Sequence, residues 1–179
     1  MRPGIRIGVD VGSVRVGVAT CDPDAILATP VRTVARGGSG GGDTASGAAD
    51  NSAVAENDSS LTGIAELVAS TGAIEVVVGL PRSLSGEEGL AAQTARAYAK
   101  SLAAKVAPVP VRLLDERLTT VDAHRALYSS GRSGRAHREV VDQVAAVMIL
   151  QSALDAERDT GREPGELVGA RKPRHRRRA

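Results

Sequence analysis

Residues 5–22 read IRIGVDVGSVRVGVATCD and decide the fold of the chain. Val, Ile and Ala recur on both sides of Gly12 and Ser13, which are residues of the kind that a tight hairpin turn uses. A third β-rich run, AILATPVRTV at 25–34, follows an Asp-Pro-Asp turn signal. The start of the chain therefore predicts three consecutive antiparallel strands.

The rest of the chain alternates helical and strand patterns. In chain order they predict a helix over 61–71, a strand over 74–81, a helix that reaches about Val106, a strand over 109–116, a short helix over 119–131 and a long helix over 139–157. The second of these helices opens on a Ser-x-x-Glu capping box, Ser85 to Glu88. This order predicts an α/β fold, a five-stranded mixed sheet with three antiparallel strands, then βαβ units, and helices on both faces.

Length and composition predict one domain. The 179 residues are 42% hydrophobic and 25% charged, which is the balance of a globular protein. We assign residues 1–36 and 60–158 to this domain. The Gly-, Ser- and Asp-rich stretch at 37–59 has too few large apolar side chains to offset its ordering entropy, so we expect a disordered insertion. We expect 159–179 to be a flexible basic tail.

Charge, aromatic content and cysteine content limit the partners and the location. Six of the 23 Lys and Arg residues lie at 171–179, and residues 1–170 carry 17 basic against 21 acidic side chains. With two Tyr and no Phe or Trp, the chain would hold nucleic acid by its backbone or shape rather than by base stacking. The lone Cys21 and three scattered His residues lack zinc-site spacing. No secretory or membrane segment is visible, so we expect a cytoplasmic protein.

Acidic residues at three places are candidates for chemistry. Asp10 ends the first strand between glycines, where ligands bind in α/β sheets. Asp115 and Glu116 end the last strand on opposite faces, so one of them shares a side with Asp10, and spacing alone leaves the choice open. Asp142 heads an apolar helical stripe, where an unpaired charge is costly. Each also has a structural interpretation, as a turn former, a solvated ion pair or a helix-dipole acid.

Converging carboxylates predict a metal site. They repel one another unless cations neutralise them, and oxygen ligands suit Mg²⁺ or Mn²⁺. Two such ions about 4 Å apart activate a water and stabilise the leaving oxygen of a phosphodiester, so the inferred chemistry is metal-assisted hydrolysis.

Two basic or polar segments are candidates to bind substrate. Arg82 and Ser85 precede a predicted helix, whose N-terminus favours phosphate. Arg132, Arg135 and Arg138 form a basic turn before Asp142. An ordinary loop and a solvated charged turn are the plainer interpretations.

Four segments carry a resemblance to a known family. They are GVDVGSVRVGVA at 8–19, VVVGLPRSLSGEEG at 76–89, LLDERLTTVDA at 113–123 and VDQVAAVMILQSALD at 141–155. In this order and spacing they resemble the YqgF/RuvX family, RNase H-like proteins related to Holliday-junction resolvases and described as pre-16S rRNA nucleases. The resemblance implies an RNase H-like fold and favours Glu116 over Asp115. It maps the family's catalytic, metal-binding acids onto Asp10, Glu116 and Asp142.

The resemblance also implies a function, a metal-dependent nuclease that acts on structured RNA in 5′-end maturation of 16S rRNA. A Holliday-junction-resolving DNA endonuclease stays open, since the same chemistry serves either sugar. A resolvase has to be a symmetric homodimer, whereas the sequence leaves monomer or homodimer open. The three acids argue against a silent nucleic-acid-binding module. The length argues against an actin-like kinase or ATPase, which needs two such domains.

Overall fold

The computed structural model describes residues 1–37, 58–83, 85–118 and 135–169, without the side chains of 118 and 135–140. The described strands are β1 (Arg6–Val11), β2 (Arg15–Cys21), β3 (Ala28–Ala35), β4 (Glu75–Leu80), β5 (Val111–Asp115) and β6 (Glu166–Leu167). The described helices are α1 (Ser59–Thr71), α2 (Leu90–Val106) and α3 (Arg135–Thr160), with one 3₁₀ turn at Glu116–Leu118. The predicted short helix over 119–131 lies outside the described residues.

The strands form one mixed sheet in the order β3-β2-β1-β4-β5-β6. The first three strands are antiparallel, which confirms the prediction from residues 5–34. β1, β4 and β5 are parallel neighbours, so their carboxyl ends meet at one edge of the sheet. The predicted count of five strands is wrong, because β6 pairs antiparallel with β5 as a sixth.

Helices cover both faces of the sheet, as predicted. Alternate strand residues such as Ile7 and Val76 pack with α1 and α2 in one buried apolar cluster. Their neighbours, including Val77, pack with α3 in a second cluster on the opposite face. β4 is buried along its whole length, which explains its apolar run from Val76 to Leu80.

The starts of two helices differ from the predictions. α1 begins at Ser59 because Asp58 is its N-cap and accepts from the backbone N–H of Ser60. The predicted capping box before α2 is wrong, since α2 begins at Leu90 after Gly89 with no side-chain cap. Glu88 instead accepts hydrogen bonds from Arg82 and Arg96.

The structure also revises the boundaries of the folded domain at the predicted insertion and at the predicted tail. Residues 38–57 of the predicted insertion lie outside the described part, but the backbone N–H of Gly37 donates to the Asp58 carboxylate at 3.1 Å. Residues 37, 58 and 59 therefore belong to the folded domain. The predicted flexible tail is wrong for 159–169, because α3 reaches Thr160 and β6 follows. In the described part of the chain, no helix is long and apolar enough to cross a membrane.

Candidate active site

Helix α3 lies very close to the sheet because small residues face it. A Cβ atom added to Gly8 of β1 would come within 2.6 Å of Leu150 Cβ. One added to Gly17 of β2 would collide with the backbone carbonyl of Asp142. Ala145 and Ala146 on α3 are also buried against this face. The glycines therefore set the depth at which α3, with Asp142, sits on the sheet.

Asp10 faces α3 from the carboxyl end of β1. Gly8 points to α3, and alternation along a strand returns to the same face two residues later. Asp10 is paired with Gly17 of β2, and the pairing of Val9 with Val78 sets Asp10 beside Gly79 of β4. Only 4% of Asp10 is exposed. Asp10 is thus a buried carboxylate with a glycine beside it on each neighbouring strand, on the face that α3 covers.

Glu116 reaches the same face from the end of β5. A Cβ atom on Gly79 would lie 2.5 Å from Glu116 Oε1 and 2.5 Å from Ile149 Cδ1 of α3. The Glu116 carboxylate therefore lies over Gly79, beside Asp10 and beneath α3. Glu116 is 3% exposed.

Asp115 points away from this site. Its carboxylate accepts hydrogen bonds from Arg117, at 2.6 Å from Nη2, and lies 3.6 Å from Arg82 Nη1. The hydrogen bonds from Arg117 lower the pKa of Asp115. The two neighbouring acids thus separate as strand alternation predicted, and Glu116 is the one on the Asp10 side.

Asp142 is on the same side of the sheet but has a cationic partner. Its Oδ2 accepts a hydrogen bond from Arg15 Nε at 3.1 Å. The two side chains are 26% and 23% exposed. Across the described residues, no three Asp, Glu, His or Cys side chains are grouped closely enough to hold a metal ion. The structure thus places Asp10 and Glu116 together and Asp142 in an ion pair.

The residues present fit a divalent cation by donor chemistry. Asp10 and Glu116 supply buried carboxylate oxygens, the ligands that Mg²⁺ and Mn²⁺ prefer. Gly79 leaves room for the Glu116 carboxylate, because a Cβ there would lie 2.5 Å from Glu116 Oε1. Asp142 is the third candidate ligand, and its Oδ2 accepts from Arg15.

The predicted substrate-binding loop is occupied by internal ion pairs. Arg82 Nη2 donates to Glu88 at 2.7 Å, and Arg96 donates to the same carboxylate. The hydrogen bonds from Arg96 hold the pKa of Glu88 at about 2. Ser85 Oγ is 2.8 Å from Ser83 Oγ. Arg82 and Ser85 are therefore held by neighbours within the loop and the strand end.

The predicted basic turn is only partly described. Arg132 lies outside the described residues, and Arg135 and Arg138 lie in the first turns of α3 without described side chains. Arg15 is a neighbour of the candidate acid Asp142 that the sequence analysis missed. One signal was available, since Arg15 is the single charged residue in the apolar run from Val14 to Thr20.

Comparison with known proteins gives a consistent family and fold. The family model described as RuvX, Holliday junction resolvase, matches residues 4–156. A relative from Nocardioides, named "Putative pre-16S rRNA nuclease", is 55% identical over 168 residues, which cover 94% of this chain and 98% of the relative. A relative of the same name from Kineococcus radiotolerans is 50% identical over 180 residues, covering 98% of this chain and 86% of the relative.

The fold is also that of a solved structure. RuvC from T. thermophilus, in complex with a Holliday junction substrate, matches with a TM-score of 0.52 and 14% identity. The match covers 88% of this chain and 97% of RuvC. This likeness confirms the predicted RNase H-like fold class, with six strands in place of five.

Proposed function

The chain belongs to the RuvX family, and we propose that it is a metal-dependent nuclease that hydrolyses phosphodiester bonds in structured RNA, with 5′-end processing of pre-16S rRNA as its role. The observation that carries this proposal is the burial of two acids on one face of the sheet, Glu116 over Gly79 and Asp10 on the strand beside Gly79. Curated relatives about half identical to this chain are named for the same activity. We place its action in the cytoplasm, as a monomer or homodimer.

In this proposal Asp10, Glu116 and Asp142 are the catalytic carboxylates and the ligands of Mg²⁺ or Mn²⁺. Two ions, when bound, would supply an activated water and stabilise the leaving oxygen. Carboxylates on one face repel one another, so the protein's own contribution is a group of acids that favours cation binding. The glycines let α3 and the Glu116 carboxylate lie close to the sheet, and α3 brings Asp142 to that face.

The substrate backbone would be held beside these acids. Arg132, Arg135 and Arg138 lead into the helix that carries Asp142, and cationic side chains there would bind phosphates. Arg82 and Ser85 lie on the loop after β4, at the same edge of the sheet. Because Arg82 is shared between Glu88 and Asp115, we propose a smaller share of phosphate binding for it.

A second candidate is resolution of four-way DNA junctions. The description of the family model favours it, and the same acids would serve, since the reaction on DNA and RNA is alike at the phosphate. A junction has two-fold symmetry, so this candidate requires a homodimer.

Cleavage of a structured pre-16S rRNA fragment and of a four-way DNA junction, each with Mg²⁺ or Mn²⁺, tests both candidates. Asp10→Asn should lower RNA cleavage at least about 100-fold, because it removes a metal-binding carboxylate. Asp24→Asn is the matched control, since it makes the same chemical change at an exposed turn at the other end of the sheet.

The outcomes separate the candidates. Preferential cutting of the junction would favour the resolvase. If a folded protein that binds RNA cuts neither substrate, the nuclease proposal is wrong.

A further inference from the structure

We propose that Arg15 is a positioning residue that holds the Asp142 carboxylate until a divalent ion replaces it, and that the released guanidinium then binds a phosphate of the nucleic acid. The inference rests on the proposed function, because it assigns Asp142 to the metal site. Beyond that function, it assigns two roles to Arg15. Arg15 competes with the metal ion for Asp142, and it contacts the substrate.

The position of Arg15 puts it at the edge of the candidate site. It begins β2, two residues before Gly17, so strand alternation directs both toward α3. Gly17 meets the backbone of Asp142, and Arg15 Nε is 3.1 Å from Asp142 Oδ2. Asp10 is paired with Gly17 on the adjacent strand. Arg15 therefore faces the site from the strand next to Asp10.

This ion pair has the features of one that can exchange. It uses Nε and one carboxylate oxygen, and both side chains are about a quarter exposed. Partly exposed ion pairs contribute little, because both groups keep much of their hydration when they separate. A compact divalent ion beside further carboxylates attracts Asp142 more strongly than one guanidinium does.

Arg6 forms an ion pair of the opposite kind, which is buried rather than partly exposed. Arg6 pairs with Glu157 where the side chains are 1% and 3% exposed, at the opposite end of β1 from Asp10. Both charges are buried and are also paired with Arg2 and Glu75, so this pair is part of a buried network that supports the fold. Arg15, in contrast, can leave Asp142 for solvent or for a phosphate.

Removal of Arg15 should therefore act in opposite directions on two ligands. Without its internal competitor, Asp142 is available to the ion, so divalent cations should bind more tightly. Without its guanidinium, whose planar fork suits phosphate oxygens, the edge of the site should bind nucleic acid less tightly. If Arg15 only supported the structure, its removal would weaken the binding of both the divalent cation and the nucleic acid.

The test compares the wild type with Arg15→Gln and Arg15→Lys in the full chain. Calorimetry measures Mn²⁺ affinity without nucleic acid, and fluorescence anisotropy measures affinity for a structured RNA fragment with Ca²⁺ in place of Mg²⁺. Arg15→Gln should bind Mn²⁺ about 3-fold more tightly, an effect within the range for loss of a partly exposed pair, and RNA about 3-fold less tightly. Arg15→Lys, which keeps the charge, should lie nearer the wild type in both.

The control is Arg32→Gln, an equal loss of charge at an exposed β3 residue that donates to the Gly63 carbonyl. Circular dichroism confirms that each variant is folded. Mn²⁺ affinity that is unchanged or lower in Arg15→Gln, or RNA affinity that is unchanged, would overturn the inference. If Asp10→Asn lowers Mn²⁺ affinity while Arg15→Gln does not raise it, only the Arg15 inference fails. If Mn²⁺ does not bind, or binds independently of Asp10, the proposed metal site fails with it.

Discussion

Gly79 is the residue on which the geometry of the candidate site depends most directly. It lies in β4 beside Asp10, beneath the Glu116 carboxylate and beneath Ile149 of α3. A methyl group there would lie 2.5 Å from both Glu116 Oε1 and Ile149 Cδ1. Protein interiors are close-packed, so the strain would fall on the carboxylate and the helix together.

We expect Gly79→Ala to move Glu116 and to lower nuclease activity by about 100-fold, because small displacements of catalytic groups are costly. Overpacking should also lower the free energy of unfolding by about 1–3 kcal/mol. Cleavage assays and urea unfolding measure the two effects. Gly63→Ala is the control, since its methyl would be 3.4 Å from the nearest atom, Arg32 Nη2, and should stabilise α1 by about 0.5–1 kcal/mol. Wild-type activity in Gly79→Ala would contradict this account.

At the scale of elements, local sequence patterns predicted the strands and turns that depend on neighbouring residues. Alternation and turn residues identified the first hairpin, and an unbroken apolar run identified β4 because both of its faces are buried. The start of α2 was missed because Glu88 binds Arg82 and Arg96, the second of which lies eight residues away, instead of capping the helix. β6 was missed because two residues are too few to show a period.

In the candidate site, too, local patterns predicted local features and missed contacts between residues far apart in the sequence. Alternation correctly separated Asp115 from Glu116, although the choice between them came from the family resemblance. The ion pair of Arg15 with Asp142 joins residues 127 positions apart, and no local pattern reveals such a contact. The sequence therefore identified the candidate acids, whose role stays a prediction, and missed the cation beside Asp142.

Asp58 links two elements at the base of the 38–57 segment. Its carboxylate accepts from Ser60 Oγ at 2.7 Å, from Arg36 Nε at 2.8 Å and from the Gly37 N–H at 3.1 Å. Burial raises the pKa of Asp58, but the hydrogen bonds from Ser60 and Arg36 outweigh it and leave the pKa lowered. Arg36 also donates to the carbonyl of Gly12, in the turn that follows β1.

We expect Asp58→Ala to lower the free energy of unfolding by about 3 kcal/mol, because it removes a helix cap and strands the Arg36 charge. Thermal and urea unfolding measure this. Asp155→Ala is the control, since its pair with Arg158 is exposed and its loss should change stability by no more than about 0.5 kcal/mol. Equal effects of the two substitutions would show that Asp58 does not connect these elements.

At the scale of the whole molecule, a charged network lies at the opposite end of the sheet from the candidate site. It comprises Arg2, Arg6, Glu75, Arg112, Glu157 and Glu163. Arg6 and Glu75 stand at the first residues of β1 and β4, whereas Asp10 and Gly79 stand near their ends. The network joins the N-terminus, three strands, α3 and the segment before β6. This network is thus kept apart from the carboxylates proposed for catalysis.

This network should make the stability of the molecule sensitive to acid through Glu157. Hydrogen bonds from Arg2, opposed by burial, hold the pKa of Glu157 at about 2, against an ordinary 4.5. A carboxyl with a lowered pKa stabilises the fold fully above its unfolded pKa, and that contribution is lost as the pH falls from 4.5 toward 2. Because Arg2 is partly exposed, we expect Glu157→Gln to lower the free energy of unfolding by about 2 kcal/mol at pH 7. Urea unfolding should show this difference from the wild type shrinking between pH 4.5 and pH 2.

Glu66→Gln, at an exposed position on α1, should match the wild type throughout. A Glu157→Gln deficit that is as large at the acid end as at pH 7 would mean that Glu157 supports the fold by packing rather than by its charge.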